Sequence, residues 1–179
     1  MSLTYRQAIH EDLPAILALY APFIRNTTFT FEYEVPSLSD FTVRFERITG
    51  RFPWLVCCDG DRLVGYAYAS PAFERAAFSW DADLSVYVAP DYHHCGIGKE
   101  LYRLLEARLT ELGYHNLYAL ITGENLGSCR FHELMGYKLI ATLPKTGFKH
   151  GKWLDLYWYA KRLRSEDDHP SEFPKAHRT

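Results

Sequence analysis

The chain has 179 residues, 47% hydrophobic and 23% charged, with a formal net charge of −2. That suits one soluble globular domain with a sizeable core and offers no excess of Lys and Arg for a nucleic-acid surface. No apolar run approaches the roughly 20 residues of a membrane span, and the N-terminus "MSLTYRQAIHEDL" lacks a basic-then-apolar leader pattern. Cys57, Cys58, Cys95 and Cys129 have no framework spacing. They fit a reducing compartment, so a cytoplasmic protein is expected.

Residues 3–8 alternate as a strand does, and Asp12 is placed to cap a helix from Leu13 with Pro14 in its first turn. Ile16, Leu17, Leu19 and Tyr20 are its expected buried side. The stretch 26–36, "NTTFTFEYEVP", reads as an irregular loop or a short extended piece. Phe41, Phe45 and Ile48 then recur at helical spacing, which predicts a helix over 38–49. Next comes a hairpin signal, "WLVCC" and "RLVGYAYAS" joined at Asp59-Gly60.

A strand over 82–88 is followed by the clearest helix, 97–112, whose apolar positions advance by threes and fours until Gly113. A strand over 115–121, a short helix over 126–135, and strands near 137–143 and 152–160 complete the domain. The order predicts an α+β domain on one mixed, largely antiparallel sheet of about seven strands with about four helices. After Leu163 the chain becomes charged and proline-bearing, so 1–163 is read as the domain and 164–179 as a disordered tail.

The stretch "DYHHCGIGKELY" (91–102) carries the chemistry. Glycines that open a helix present free N–H groups and the positive end of its dipole to an anion. A nucleotide P-loop is excluded, because His93 stands five before Gly98 and Glu100 follows Lys99. A dinucleotide fingerprint fails at Leu101, where a third small residue is needed. A metal site from His93, His94 and Cys95 would require three consecutive residues to converge on one ion. A plain strand-to-helix connection, closely packed through its glycines, stays open on local sequence alone.

This block resembles the pyrophosphate-binding segment of the GCN5-related N-acetyltransferases, whose [QR]-x-x-G-x-[GA] motif reads here as His93-His94-Cys95-Gly96-Ile97-Gly98. The stretches "FSWDADLSVYVAPDYHHCGIGKELY", "ENLGSCRFHELMGY" and "GFKHGKWLDLYW" are similar to the phosphinothricin acetyltransferase branch, and the likeness spans about residues 3–163. The departure is His93, where Gln or Arg is usual. The resemblance implies an acetyl-CoA-dependent N-acetyltransferase for small amino-acid-like amines, with no metal, acting as a homodimer. Protein N-termini or aminoglycosides as acceptors, and a non-catalytic CoA-binding module, are the rival readings.

Under that resemblance, N–H groups from His94 to Lys99 grip the pyrophosphate, and the backbone of Val86, Tyr87 and Val88 pairs with the pantetheine arm. Asn125 bonds the pantetheine amide, and Ser128 or Cys129 shares its helix face with His132. Asp83 falls where the branch has a glutamate base. One methylene shorter, it is expected to act through a bridging water, with Asp81 as the alternative. His132 stands where many relatives have a tyrosine that protonates the thiolate, and an imidazole with a near-neutral pKa suits proton transfer. Phe31 and Arg75 match positions near the acceptor pocket, and Trp158 is a candidate for the subunit contact or for the core.

Overall fold

The computed structural model describes residues 2–165, 168–170 and 172–177. Along the chain lie β1 (Leu3–Gln7), α1 (Leu13–Asn26), α2 (Leu38–Thr49), β2 (Trp54–Asp59), β3 (Arg62–Pro71), β4 (Asp81–Val88), α3 (Ile97–Leu112), β5 (Asn116–Thr122), α4 (Leu126–Leu134), β6 (Lys138–Lys149) and β7 (Lys152–Arg162). The seven strands form one sheet in the order β1-β2-β3-β4-β5-β7-β6. All neighbours are antiparallel except β4 and β5, which run parallel with α3 as their crossover. This is the α+β architecture expected from the sequence.

Alternation along the strands decides which helix covers which face. Tyr66 stacks on Trp54 and on Tyr87, and α1 and α2 seal this aromatic face through Tyr20, Phe23, Phe41 and Phe45. One residue away, Gly65 points to the opposite face, where α3 lies so close that a Cβ would come within 3.0 Å of Ile97 Cγ2. A bare backbone at this position lets the helix settle onto the sheet. Helix α1 buries Leu13, Ile16, Tyr20, Ala21 and Ile24, with Leu17 and Leu19 only half-buried.

Two local expectations change. Asp12 sits at the start of α1 but makes no side-chain cap. Its carboxylate turns back to accept from Arg6 Nη1 and Nη2 at 2.6 and 2.7 Å and from the Ile9 N–H at 2.9 Å. A bidentate guanidinium on the adjoining strand outcompetes a single amide for that carboxylate. Strand β6 runs past residue 143 to Lys149, because its register with β7 jumps from Leu143↔Leu156 to Gly147↔Leu154. The extra residues form a bulge, pinned where the Lys145 N–H donates to Asp155 Oδ1 at 2.9 Å.

The predicted disordered tail falls in part on residues 166, 167, 171, 178 and 179, which lie outside the described residues. The described part differs from the expectation, because its few apolar groups find seats on the domain. Phe173 stacks on Trp80 with centroids 5.0 Å apart, and Trp80 Nε1 donates to the Glu172 carbonyl at 3.1 Å. Lys175 N donates to the Leu112 carbonyl at 2.9 Å, and His177 N to that of Arg51 at 3.1 Å. One aromatic ring and the bonds at Glu172, Lys175 and His177 seat the described part of 172–177 on the domain.

Candidate active site

The site begins where two parallel strands part. β4 and β5 pair only at Asp81↔Asn116, Ala82↔Leu117 and Asp83↔Tyr118, although both strands continue beyond. The closed end is locked: the Trp80 carbonyl accepts from the N–H groups of His115 and Asn116, and Asn116 Nδ2 donates to Asp81 Oδ1 at 2.7 Å. Past Asp83 the strands diverge around a cleft of about 1010 Å³. That volume reaches the upper end of the roughly 300–1,000 Å³ usual for small-molecule sites, so it suits an elongated ligand. Residues 84–88 line it with a strand edge that has no strand opposite, and Val86, Tyr87 and Val88 are part of that wall.

At the mouth of the cleft, the turn after β4 brings backbone donors together. His94 has φ 63° and Gly96 φ 80°, a left-handed pair that turns the chain sharply into α3. His94, Gly96, Ile97, Gly98 and Lys99 have N–H groups with no partner among the described residues, whereas the Glu100 N–H already bonds the Gly96 carbonyl. Five such donors stand at the positive end of a 16-residue helix, where the field favours negative charge. Gly98 packs on Phe131 and Val86, and Lys99 lies on the cleft wall.

His93 is turned to the Val88 carbonyl, with Nε2 3.1 Å away, so its ring braces the turn. Cys95 is exposed and lies off the cleft wall. The two imidazole rings stand 6.4 Å apart, and no group of three His, Cys, Asp or Glu among the described residues is placed to hold a metal.

Asp83 sits at the last paired position of β4, directly before the wall residues. Its Oδ1 is sealed from solvent, with no hydrogen-bond partner among the described residues. Burial raises its pKa from 3.8 to about 7, partly opposed by the Leu84 backbone N–H. A carboxylate with that affinity takes and releases a proton near neutrality. Asp81 is also buried, but it is committed to Asn116 at the closed end, away from the cleft.

On the opposite wall, Asn125 caps α4 by accepting from the Ser128 N–H at 3.1 Å. Ser128 and His132 face the cleft, while Cys129 turns into the core. His132 is 3% exposed, and burial lowers its pKa to about 4. The near-neutral imidazole expected from the sequence is therefore absent: this ring is uncharged at pH 7. Its Nδ1 lies 2.8 Å from the Ser128 carbonyl, which only accepts, so Nδ1 carries the proton. Nε2 is then the acceptor for the Tyr102 hydroxyl 2.9 Å away. Tyr102 lines the cleft and was missed in the sequence, although it lies four residues, one helical turn, beyond Gly98.

The two residues expected beside the acceptor lie off the wall of this cleft. Neither Phe31 nor Arg75 lines the cleft; Phe23 and Phe29 do. Phe31 packs against Gly147. Arg75 is exposed on the turn between β3 and β4, where the chain loops outward from the sheet. Trp158 contacts Phe73 and Tyr118, with its Nε1 buried and unpartnered among the described residues.

The chain is similar to known proteins along most of its length. Residues 6–158 match the acetyltransferase (GNAT) domain family. The chain is 32% identical to the phosphinothricin N-acetyltransferase of Streptomyces viridochromogenes, covering 86% of this chain and 84% of that one. It is equally 32% identical to an L-methionine sulfoximine/L-methionine sulfone acetyltransferase of Pseudomonas paraeruginosa, over 87% of this chain and 92% of the other. Among solved structures, a phosphinothricin acetyltransferase from Sinorhizobium meliloti in complex with AcCoA superposes with a TM-score of 0.93 at 34% identity, covering 100% of both chains. With a family match along most of its length, and relatives of this identity and coverage, the chain belongs to the GNAT acetyltransferase family.

Proposed function

We propose that this protein moves the acetyl group of acetyl-CoA to the amine of a small amino-acid-like acceptor of the phosphinothricin or methionine sulfoximine type. The observation that carries the reading is the junction of two features. Five unpartnered N–H groups stand at the mouth of the cleft, and a carboxyl group with a pKa of about 7 stands where the strands part. The turn from His94 to Lys99 holds the pyrophosphate through backbone donors, so His93 in place of Gln or Arg leaves the grip intact. The free edge of β4 at residues 86–88 receives the pantetheine arm, with Asn125 and Ser128 facing it.

Asp83 takes the proton of the acceptor ammonium through a water, freeing the nitrogen lone pair to attack the thioester carbonyl. His132 does not act as an ionised acid. Its Nε2 accepts from the Tyr102 hydroxyl and fixes that side chain at the cleft wall, and the departing thiolate takes its proton from water in the cleft. Phe29 and the 26–36 loop wall the acceptor side. The enzyme is proposed to act in the cytoplasm as a homodimer, a state that sedimentation of the purified chain measures.

The test is release of free CoA thiol from acetyl-CoA across a panel of amino-acid analogues, aminoglycosides and peptide N-termini. Turnover concentrated on phosphinothricin, methionine sulfoximine or methionine sulfone supports the reading. Tight CoA binding with no turnover on any amine overturns it in favour of a binding module.

A further inference from the structure

The loop over 27–36 has no regular secondary structure, yet it is tied down both to the helices and to a distant hairpin. The latter ties come from the tip of the β6–β7 hairpin, a two-residue turn at His150 and Gly151 with φ 50° and 77°. Two left-handed residues in succession make a tight, twisted turn with little freedom. Lys149, immediately before it, is 1% exposed and donates from Nζ to the Thr30 carbonyl at 2.7 Å. Tyr33 Oη donates to the Phe148 carbonyl. The Phe31 ring lies flush on Gly147, where a Cβ would overlap the ring edge.

A buried ammonium is costly unless its donors are used. No carboxylate lies within ion-pair distance of Lys149 among the described residues, and Glu32 is the charge that acts on it from farther off. Burial lowers its pKa accordingly. What the lysine does make is a charge-assisted bond to a loop carbonyl. The carbonyl belongs to a residue that is itself buried and coupled to the cleft. Thr30 Oγ1 is 2.7 Å from Tyr20 Oη, and the Tyr20 ring packs on Tyr87 of the cleft wall at 4.8 Å. On the near side, Thr28 Oγ1 donates to Glu124 Oε2 at 2.8 Å, and Lys152 Nζ reaches the same carboxylate at 2.7 Å. Phe29, between Thr28 and Thr30, is thereby presented to the cleft.

We infer that Lys149 and Gly147 are positioning residues: the hairpin tip fixes the 27–33 segment as the acceptor-side wall and so sets affinity for the acceptor amine. This rests on the acetyl-transfer reading above. Among the described residues the tip's side-chain bonds go to the 27–33 segment and none reaches residues 93–99, so loosening it should leave the acetyl-CoA grip unchanged.

The experiment uses the full chain with Lys149→Met, Lys149→Arg and Gly147→Ala, with acetyl-CoA and L-methionine sulfoximine as substrates. Lys149→Met and Gly147→Ala should each raise the acceptor KM about tenfold while the acetyl-CoA KM stays within about twofold, and Lys149→Arg should recover much of the loss. A joint rise in both KM values, or an unchanged acceptor KM, overturns the inference. Hydrogen exchange separates its failure from failure of the acetyl-transfer reading. Amides of 27–33 should exchange faster in Lys149→Met while those of 93–99 do not, and equal protection in both proteins refutes the tie even if no amine is ever acetylated. If Lys149→Met does not fold, Gly147→Ala carries both measurements.

Discussion

Replacing Asp83 by Asn should make the protein more stable and nearly inactive, with a gain that depends on pH. The folded carboxyl keeps its proton up to about pH 7, whereas the unfolded chain releases it near 3.8. The group's stabilising contribution is therefore complete below 3.8 and is lost as pH rises to about 7. At about 1.4 kcal/mol per tenfold in proton affinity, the full difference is about 4 kcal/mol, most of it arising above pH 5. Asn has no proton to lose, so its advantage over Asp should widen by about 3 kcal/mol between pH 5 and pH 8. Urea unfolding of the two proteins at both values measures it. Turnover at pH 8 should fall by about 10²–10⁴, with acetyl-CoA affinity unchanged. A stability gap equal at the two pH values would show that Asp83 does not titrate in this range, and the base assignment would fall with it.

Two further substitutions probe the turn and the tail. Gly96→Ala places a side chain at φ 80°, which should cost about 1–2 kcal/mol and raise the acetyl-CoA KM more than the acceptor KM; parallel kinetics in wild type and variant decide it. Phe173→Ala removes the stack on Trp80 and should lower stability by about 0.5–1.5 kcal/mol with a change in Trp emission. Burial lowers the His177 pKa below 6.5, and Arg108 adds to the effect. The tail contact is therefore fully favoured above 6.5 and weakens as pH falls below it, so the same emission change should appear on acidification.

The elements were legible because their signals are local. The helix over 97–112 and the helix over 38–49 end where their periodicity ends, and the order of strands and helices follows from alternation and turns. The left-handed turn into α3 was legible because glycine spacing controls the backbone there, whatever side chains surround it. Three things were not. Phe31 and Arg75 carry no signal for distance from a cleft formed by strands far apart in sequence. The bulge that carries β6 to Lys149 depends on Asp155 across the hairpin. The seat of Phe173 depends on Trp80, 93 positions away in the chain and invisible to any local window.

The most instructive difference is between Asp83 and His132, because one physical cause moves them in opposite directions. Removal from water penalises the charged form of each. The carboxyl, charged when it loses a proton, shifts up to about 7; the imidazole, charged when it gains one, shifts down to about 4. Residue type alone assigns the near-neutral role to histidine, and burial transfers it to the aspartate. Of these two groups, the one that ionises near pH 7 is therefore the carboxyl and not the imidazole. His132 can stay neutral throughout because its two nitrogens are both occupied, one donating to the Ser128 carbonyl and one accepting from Tyr102. The pair supplies a fixed hydroxyl to one wall of the cleft, and the titrating group stands across from it where the strands part.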